Sequence, residues 1–311
     1  MESLQRVWSS LKTWHGIRIG PVRLVYRFAR AVKVSSNTRR NRGARLGAQS
    51  GRIDLGPPQD RAPAVLAQRT SPSDTEVETA LVVGVGPGLG HALVRTLSTA
   101  GMKVALAARD ADRLDPLARE VGTCAEQPVK AYGCDATDEC SVRKFFSLAS
   151  QELGTPHLVV YAVQSFIPGR ALDVEVAAFE ESWRANCLGA FIVAREAGRA
   201  MAPLGRGTIV LVGSTSGMIG REDHLNLAVG KFGLRALAQV MARELGPLGV
   251  HVLHCVVDAD ISETPNAQAG FPQARPQAIA SLIHTLHKQE PSCWTSEIDV
   301  RPANEKFWVH C

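Results

Sequence analysis

A run of small residues, Gly84-Val85-Gly86-Pro87-Gly88-Leu89-Gly90, closes an apolar stretch at 80–85 and opens a helical pattern at 91–100. Glycines at such a junction permit a tight turn and close approach of backbone to a ligand, and the N–H groups at a helix start attract a pyrophosphate. Gly84, Gly86, Gly88, Leu89 and Gly90 are therefore dinucleotide-binding candidates, with a plain turn as the alternative. A second apolar stretch, about 20 residues on, ends in Ala108-Arg109-Asp110. A carboxylate at that strand end would accept from the ribose 2′-OH of NAD, whereas alanine followed by Arg109 suits a 2′-phosphate. The expected cofactor is NADP(H), with NAD(H) second; the alternative for Arg109 is a solvated loop charge.

A turn of this kind must be held between strands and helices. Strand candidates lie at 80–85, 103–107, 129–132, 157–163, 207–212 and 250–257, with helical patterns between them. Strands apolar on both faces and alternating with helices predict an α/β fold, a single Rossmann-like doubly wound parallel sheet with helices on both faces. No stretch approaches the roughly 20 apolar residues of a membrane span. Seven cysteines without a C-x-x-C pair point away from a disulfide scaffold or a metal site and toward reduced thiols in an intracellular protein.

The net charge of +5 is uneven, because residues 1–52 hold twelve Lys/Arg against Glu2 alone and leave the rest of the 311 residues acidic. Nucleic-acid binding is thus not expected of the main domain. Leu4, Val7, Leu11 and Trp14 fall at helical spacing within this arginine-rich arm. It reads either as a mitochondrial or other organellar targeting segment or as a disordered basic extension, with contact to RNA or a membrane surface as a third reading. Without a targeting role, a cytoplasmic protein is expected. The expected organisation is a basic N-terminal arm at 1–52, a linker rich in Gly, Pro and Ser at 53–78, and a dinucleotide-binding domain at 79–311.

Five motifs follow one another along that domain: Gly84-x-x-x-Gly88-x-Gly90; Asp135 in Cys134-Asp135-Ala136-Thr137-Asp138; Asn186 in Trp183-Arg184-Ala185-Asn186-Cys187; Ser214 in Gly213-Ser214-Thr215-Ser216-Gly217; and Lys231. Together they resemble the short-chain dehydrogenases/reductases over residues 79 to about 308. The resemblance implies that the glycine loop holds the cofactor and Asp135 contacts its adenine. It further implies that Asn186 holds a proton-relay water, Ser214 polarises the substrate carbonyl, and Lys231 binds the nicotinamide ribose and lowers the pKa of a tyrosine. Ile261, in Asp258-Ala259-Asp260-Ile261, stands where the family's Pro-Gly loop closes over nicotinamide. Tyr161-Ala162-Val163-Gln164 replaces the usual Asn-Asn-Ala-Gly, and Leu227 occupies the place of the catalytic tyrosine. The resemblance is to a divergent branch with an apolar residue there and a tail like Asp299-Val300-Arg301-Pro302.

Leucine cannot donate a proton, and a positioned general acid contributes roughly 10²- to 10⁴-fold to rate. His224, three residues before Leu227 and seven before Lys231, shares their helical face and is a candidate acid, with a cap or surface role as its alternative. Ser214 and Ser216 polarise without protonating. Tyr161 lies near the expected cleft, with packing as the competing role. Two functions follow: an NADP(H)-dependent oxidoreductase of a small carbonyl or alcohol, or a silent NADP(H)-binding module. A homodimer is expected through long helices at 179–201 and 225–245, with Leu227, Phe232, Leu234, Leu237 and Val240 as the apolar surface and a buried helix as the competing explanation.

Overall fold

The computed structural model describes residues 76–265 and 271–305. The basic arm and almost all of the expected linker lie outside them. The sheet has seven strands, all parallel, in the order β3-β2-β1-β4-β5-β6-β9. They are β1 (Thr79–Val83), β2 (Lys103–Ala108), β3 (Val129–Gly133), β4 (Leu158–Tyr161), β5 (Thr208–Ser214), β6 (His251–Val257) and β9 (Glu297–Val300). A two-stranded ladder, β7 (Asp260–Ile261) with β8 (Gln273–Ala274), stands apart. The central strands are buried on both faces because helices cover both. On one side α1 (Leu89–Thr99), α2 (Asp115–Gly122) and α7 (Pro276–His287) supply Leu93, Leu117 and Ile283 to the core. On the other, α3 (Glu139–Leu153), α5 (Gly189–Met201) and α6 (Leu225–Leu245) supply Phe145, Val193 and Leu234. A shorter helix, α4 (Val176–Trp183), leads into α5.

The fold class expected from the pattern is the one observed. Strand order reverses between β1 and β4, and ligands bind doubly wound sheets outside the carboxyl ends of strands at such a switch.

Three expectations need correction. The long helix expected at 179–201 is interrupted by a π-helical turn, Arg184–Leu188, that joins α4 to α5. The seventh strand was not foreseen, because Glu297-Ile298-Asp299-Val300 carries two acids on a half-exposed edge and has no apolar run. Of the apolar surface assigned to α6, Leu227 and Leu234 are buried in the chain's own interior, whereas Phe232 and Val240 are 44% and 52% exposed. Among the described residues no helix is long and apolar enough to cross a membrane.

Candidate active site

At the carboxyl end of β1 the chain turns through Gly84 at φ +92°, where a Cβ would stand 2.7 Å from the Val163 amide nitrogen. No side chain fits between β1 and the loop after β4. Gly90 lets α1 close on the turn, since a Cβ there would meet the Val85 Cα at 2.8 Å. Gly88, at φ +90°, lies under Ile261, whose Cγ2 is 3.3 Å from the place of a Cβ. Gly86 differs from these, because a Cβ there would meet nothing within 4 Å. The open space lies at the start of α1, which has neither a side-chain cap nor an acidic residue in its first turn. Its first amides are therefore available to an anion, and Leu89, whose side chain is buried, would offer only its backbone. These features fit a pyrophosphate.

Arg109 is exposed directly after β2 and its side chain pairs with nothing among the described residues. Asp135 lies at the end of the adjacent β3, exposed, with Oδ1 accepting from the Thr137 amide and hydroxyl, both at 2.8 Å. That Asx turn fixes the carboxylate through one of its two oxygens.

Asn186 sits in the π-helical turn, fully buried. Its Nδ2 donates to Ser165 O at 2.7 Å and Ser182 O at 2.9 Å, and its Oδ1 accepts from Ser165 N at 3.4 Å. The side chain thus braces the loop after β4 against the helix. Gly230 allows α6 to reach that brace, because a Cβ there would be 2.6 Å from the Asn186 Cβ.

Lys231, on α6, is 1% exposed. Its Nζ donates to Val212 O at 3.0 Å and to Val163 O at 3.5 Å. Burial pushes its pKa down to about 8. Ser214, at the end of β5, has a buried Oγ with no hydrogen-bond partner. Leu227 is buried one turn before Lys231 on the same face of α6.

Neither described tyrosine substitutes for the missing phenol. The Tyr161 hydroxyl donates to Ala185 O at 2.5 Å in the core, and burial raises its pKa. Tyr132 donates to Glu152 from the edge strand β3. His224 stands at the start of α6 with its ring stacked on Phe166, centroids 4.8 Å apart, and Nδ1 donating to Glu222 O at 2.7 Å. It helps to join two loops, since Gly169 N donates to Asp223 O and Asn226 Nδ2 to Ile167 O.

One group went unforeseen. Asp258, next after β6, is buried and paired with Arg301 at 2.6 Å, which also holds Glu305. The Asp-x-Arg-Pro tail was visible in the sequence, but its partner lies 43 residues earlier.

A profile described as short chain dehydrogenase matches residues 78–271. Sorbitol-6-phosphate 2-dehydrogenase of Escherichia coli is 29% identical over 198 residues, 63% of this chain and 76% of that protein. D-threitol dehydrogenase of Mycolicibacterium smegmatis is 25% identical over 67% of this chain and 79% of its own length. The crystal structure of a short-chain dehydrogenase from Rhodopseudomonas palustris, 29% identical, covers 72% of this chain and 98% of its own with a TM-score of 0.65. With a sheet of this order and a glycine turn at its switch point, the chain belongs to the short-chain dehydrogenase family.

Proposed function

We propose that the protein is an NADP(H)-dependent oxidoreductase acting on a small carbonyl or alcohol, with Leu227 in the place of the usual tyrosine. The observation that carries this reading is a fully buried ammonium, Lys231, held by two backbone carbonyls, one of them Val212 O, two residues before Ser214, whose hydroxyl has no partner. A buried cation with no carboxylate is costly, and it belongs where negative charge arrives with a ligand or develops during reaction. The names of two relatives, dehydrogenases of sorbitol 6-phosphate and of D-threitol, support a small hydroxylated substrate.

When bound, the dinucleotide would supply or accept the hydride. The glycine turn and the start of α1 would hold its pyrophosphate, Arg109 its 2′-phosphate and Asp135 its adenine end, with Ile261 over the turn. Ser214 Oγ donates to the substrate carbonyl oxygen and Lys231 stabilises the negative charge that grows there. An ammonium with a pKa near 8 also suits proton delivery, directly or through a water, a role for which the stacked, carbonyl-bound His224 is worse placed. Asn186 positions the loop that forms the opposite wall.

A second reading, a silent NADP(H)-binding module, is favoured by the buried Leu227 alone. We also propose a homodimer through the outward residues of α5 and α6, Phe191, Phe232 and Val240 among them. The arm at 1–52 is proposed as a targeting segment joined by a linker at 53–78 to the dinucleotide-binding domain at 79–311. Full-length protein mixed with NADPH and a panel of small aldehydes, ketones and keto sugars tests the main reading. NADPH consumption with any of them supports it, and NADPH binding without consumption supports the silent module.

A further inference from the structure

Where the chain leaves β6 and β9 lies a cluster of charges that the scheme above does not use. Arg301, from the residues following β9, has a side chain only 9% exposed, and its partners Asp258 and Glu305 are 4% and 3% exposed. Arg301 Nη1 donates to Asp258 Oδ2 at 2.6 Å and to Glu305 Oε2 at 3.0 Å, while Nε donates to both oxygens of Asp299 at 2.9 Å. The backbone adds a further tie, Asp258 N donating to Val300 O at 3.0 Å. Buried carboxylates are tolerated only when paired, so the arginine is what permits Asp258 to sit where the chain leaves β6.

From that point the chain crosses the carboxyl end of the sheet. Asp260 N donates to Pro272 O and Ser262 N to Ala274 O, both at 3.0 Å, and Ile261 ends over Gly88. The departure at Asp258 therefore sets where Ile261 lands on the turn.

We propose that Arg301 is a positioning residue for the cofactor pocket, holding through Asp258 the segment that covers the glycine turn, so that dinucleotide affinity depends on a side chain contributed by the end of the sheet's last strand. This rests on the dinucleotide reading given above. It adds a requirement lying outside the turn, the ribose contacts and the Ser214–Lys231 pair.

The test measures NADPH affinity by calorimetry, thermal unfolding, and amide hydrogen exchange of residues 259–262 in full-length wild type, Arg301→Lys, Arg301→Met and Asp258→Asn. Arg301→Met should weaken NADPH by about tenfold or more, because Asp258 is left buried without its cation and the segment it anchors shifts. Arg301→Lys keeps the charge without the fork and should fall between. Exchange should quicken at 259–262 and stay slow in β1 and β5, a local signature that general loss of stability would not give. If Arg301→Met does not fold, Asp258→Asn, which keeps shape and removes one buried charge, carries the test. Folded variants that bind NADPH as wild type does overturn the inference, as does weakened binding with exchange at 259–262 unchanged. A wild type that binds no dinucleotide overturns the reading of the site and this inference with it.

Discussion

Replacing Lys231 with methionine should stabilise the folded protein while disabling it. The ammonium is carried at a pKa of about 8 against an ordinary 10.5 because burial disfavours the charge. At roughly 1.4 kcal/mol for each tenfold change in proton affinity, holding the charged form inside costs about 3 kcal/mol. Methionine fills a similar volume without that penalty, but leaves the carbonyls of Val212 and Val163 without the lysine's hydrogen bonds, a loss of about 1 kcal/mol each. The net expectation at pH 7 is a gain of about 1 kcal/mol, a rise of about 2–4 °C in Tm for a domain of this size. The sign reverses with pH. A group whose folded pKa is depressed binds fewer protons folded than unfolded, so wild-type stability rises as pH passes from about 8 to 10.5, and the penalty is gone above that. Denaturant unfolding of wild type and Lys231→Met at pH 7 and pH 10 should show the variant ahead at the lower pH and behind at the higher. A variant less stable than wild type by the same margin at both would refute the placement of an uncompensated charge there.

Three further outcomes are expected. Arg109→Glu should weaken NADPH by about 1.5–3 kcal/mol, the value of one charge-assisted phosphate contact, and leave NADH almost unchanged; equal affinity of the wild type for the two cofactors would count against a 2′-phosphate site. Leu227→Tyr should raise reductase turnover by about 10²-fold or less, since the phenol gains a cation beside it but must fit a pocket packed around leucine, and adding Lys231→Ala should remove the gain. Sedimentation should give a dimer for the wild type and a monomer for Phe232→Glu with Val240→Glu, and a monomeric wild type would contradict the proposed interface.

The sheet and its switch point were legible because β1, β2 and β4 to β6 are apolar on both faces, and because the glycines sit between a strand and a helix. Gly84, Gly88 and Gly90 could be singled out as positions where a side chain has no place, and the structure gives each a specific neighbour. Other features depended on residues distant in sequence. The strand β9 is an edge whose Glu297 is tied by Arg235 and His254 rather than by apolar burial, so no hydrophobic period marks it. The π-helical turn is invisible to a 3.6-residue pattern, because Arg184–Leu188 has helical neighbours on both sides and is marked by a backbone bond reaching five residues back, Gly189 N to Arg184 O. Likewise the brace role of Asn186, and the pairing of Asp258 with Arg301, required chain closure to be seen.

What separates an oxidoreductase from a silent binding module is the state of Ser214. A module that only holds a dinucleotide needs the turn, the open space at Gly86 and a ribose contact from Lys231; it has no use for a hydroxyl buried at the end of β5 without a partner. An unsatisfied buried hydroxyl costs about 1–3 kcal/mol, and on the proposed reading a substrate oxygen completes it. Ser214→Ala should therefore leave the protein equally stable or more stable by about 1 kcal/mol, and leave NADPH affinity within about twofold, while turnover falls by about 10- to 10³-fold through loss of one donor to the developing oxyanion. The measurements are denaturant unfolding, NADPH titration and steady-state turnover on whichever carbonyl the panel identifies. If Ser214→Ala weakens NADPH as much as it slows turnover, the hydroxyl serves the cofactor and the catalytic assignment of Ser214 falls. If turnover is untouched, the carbonyl is polarised elsewhere, and the pair of Ser214 with Lys231 is not the reacting centre.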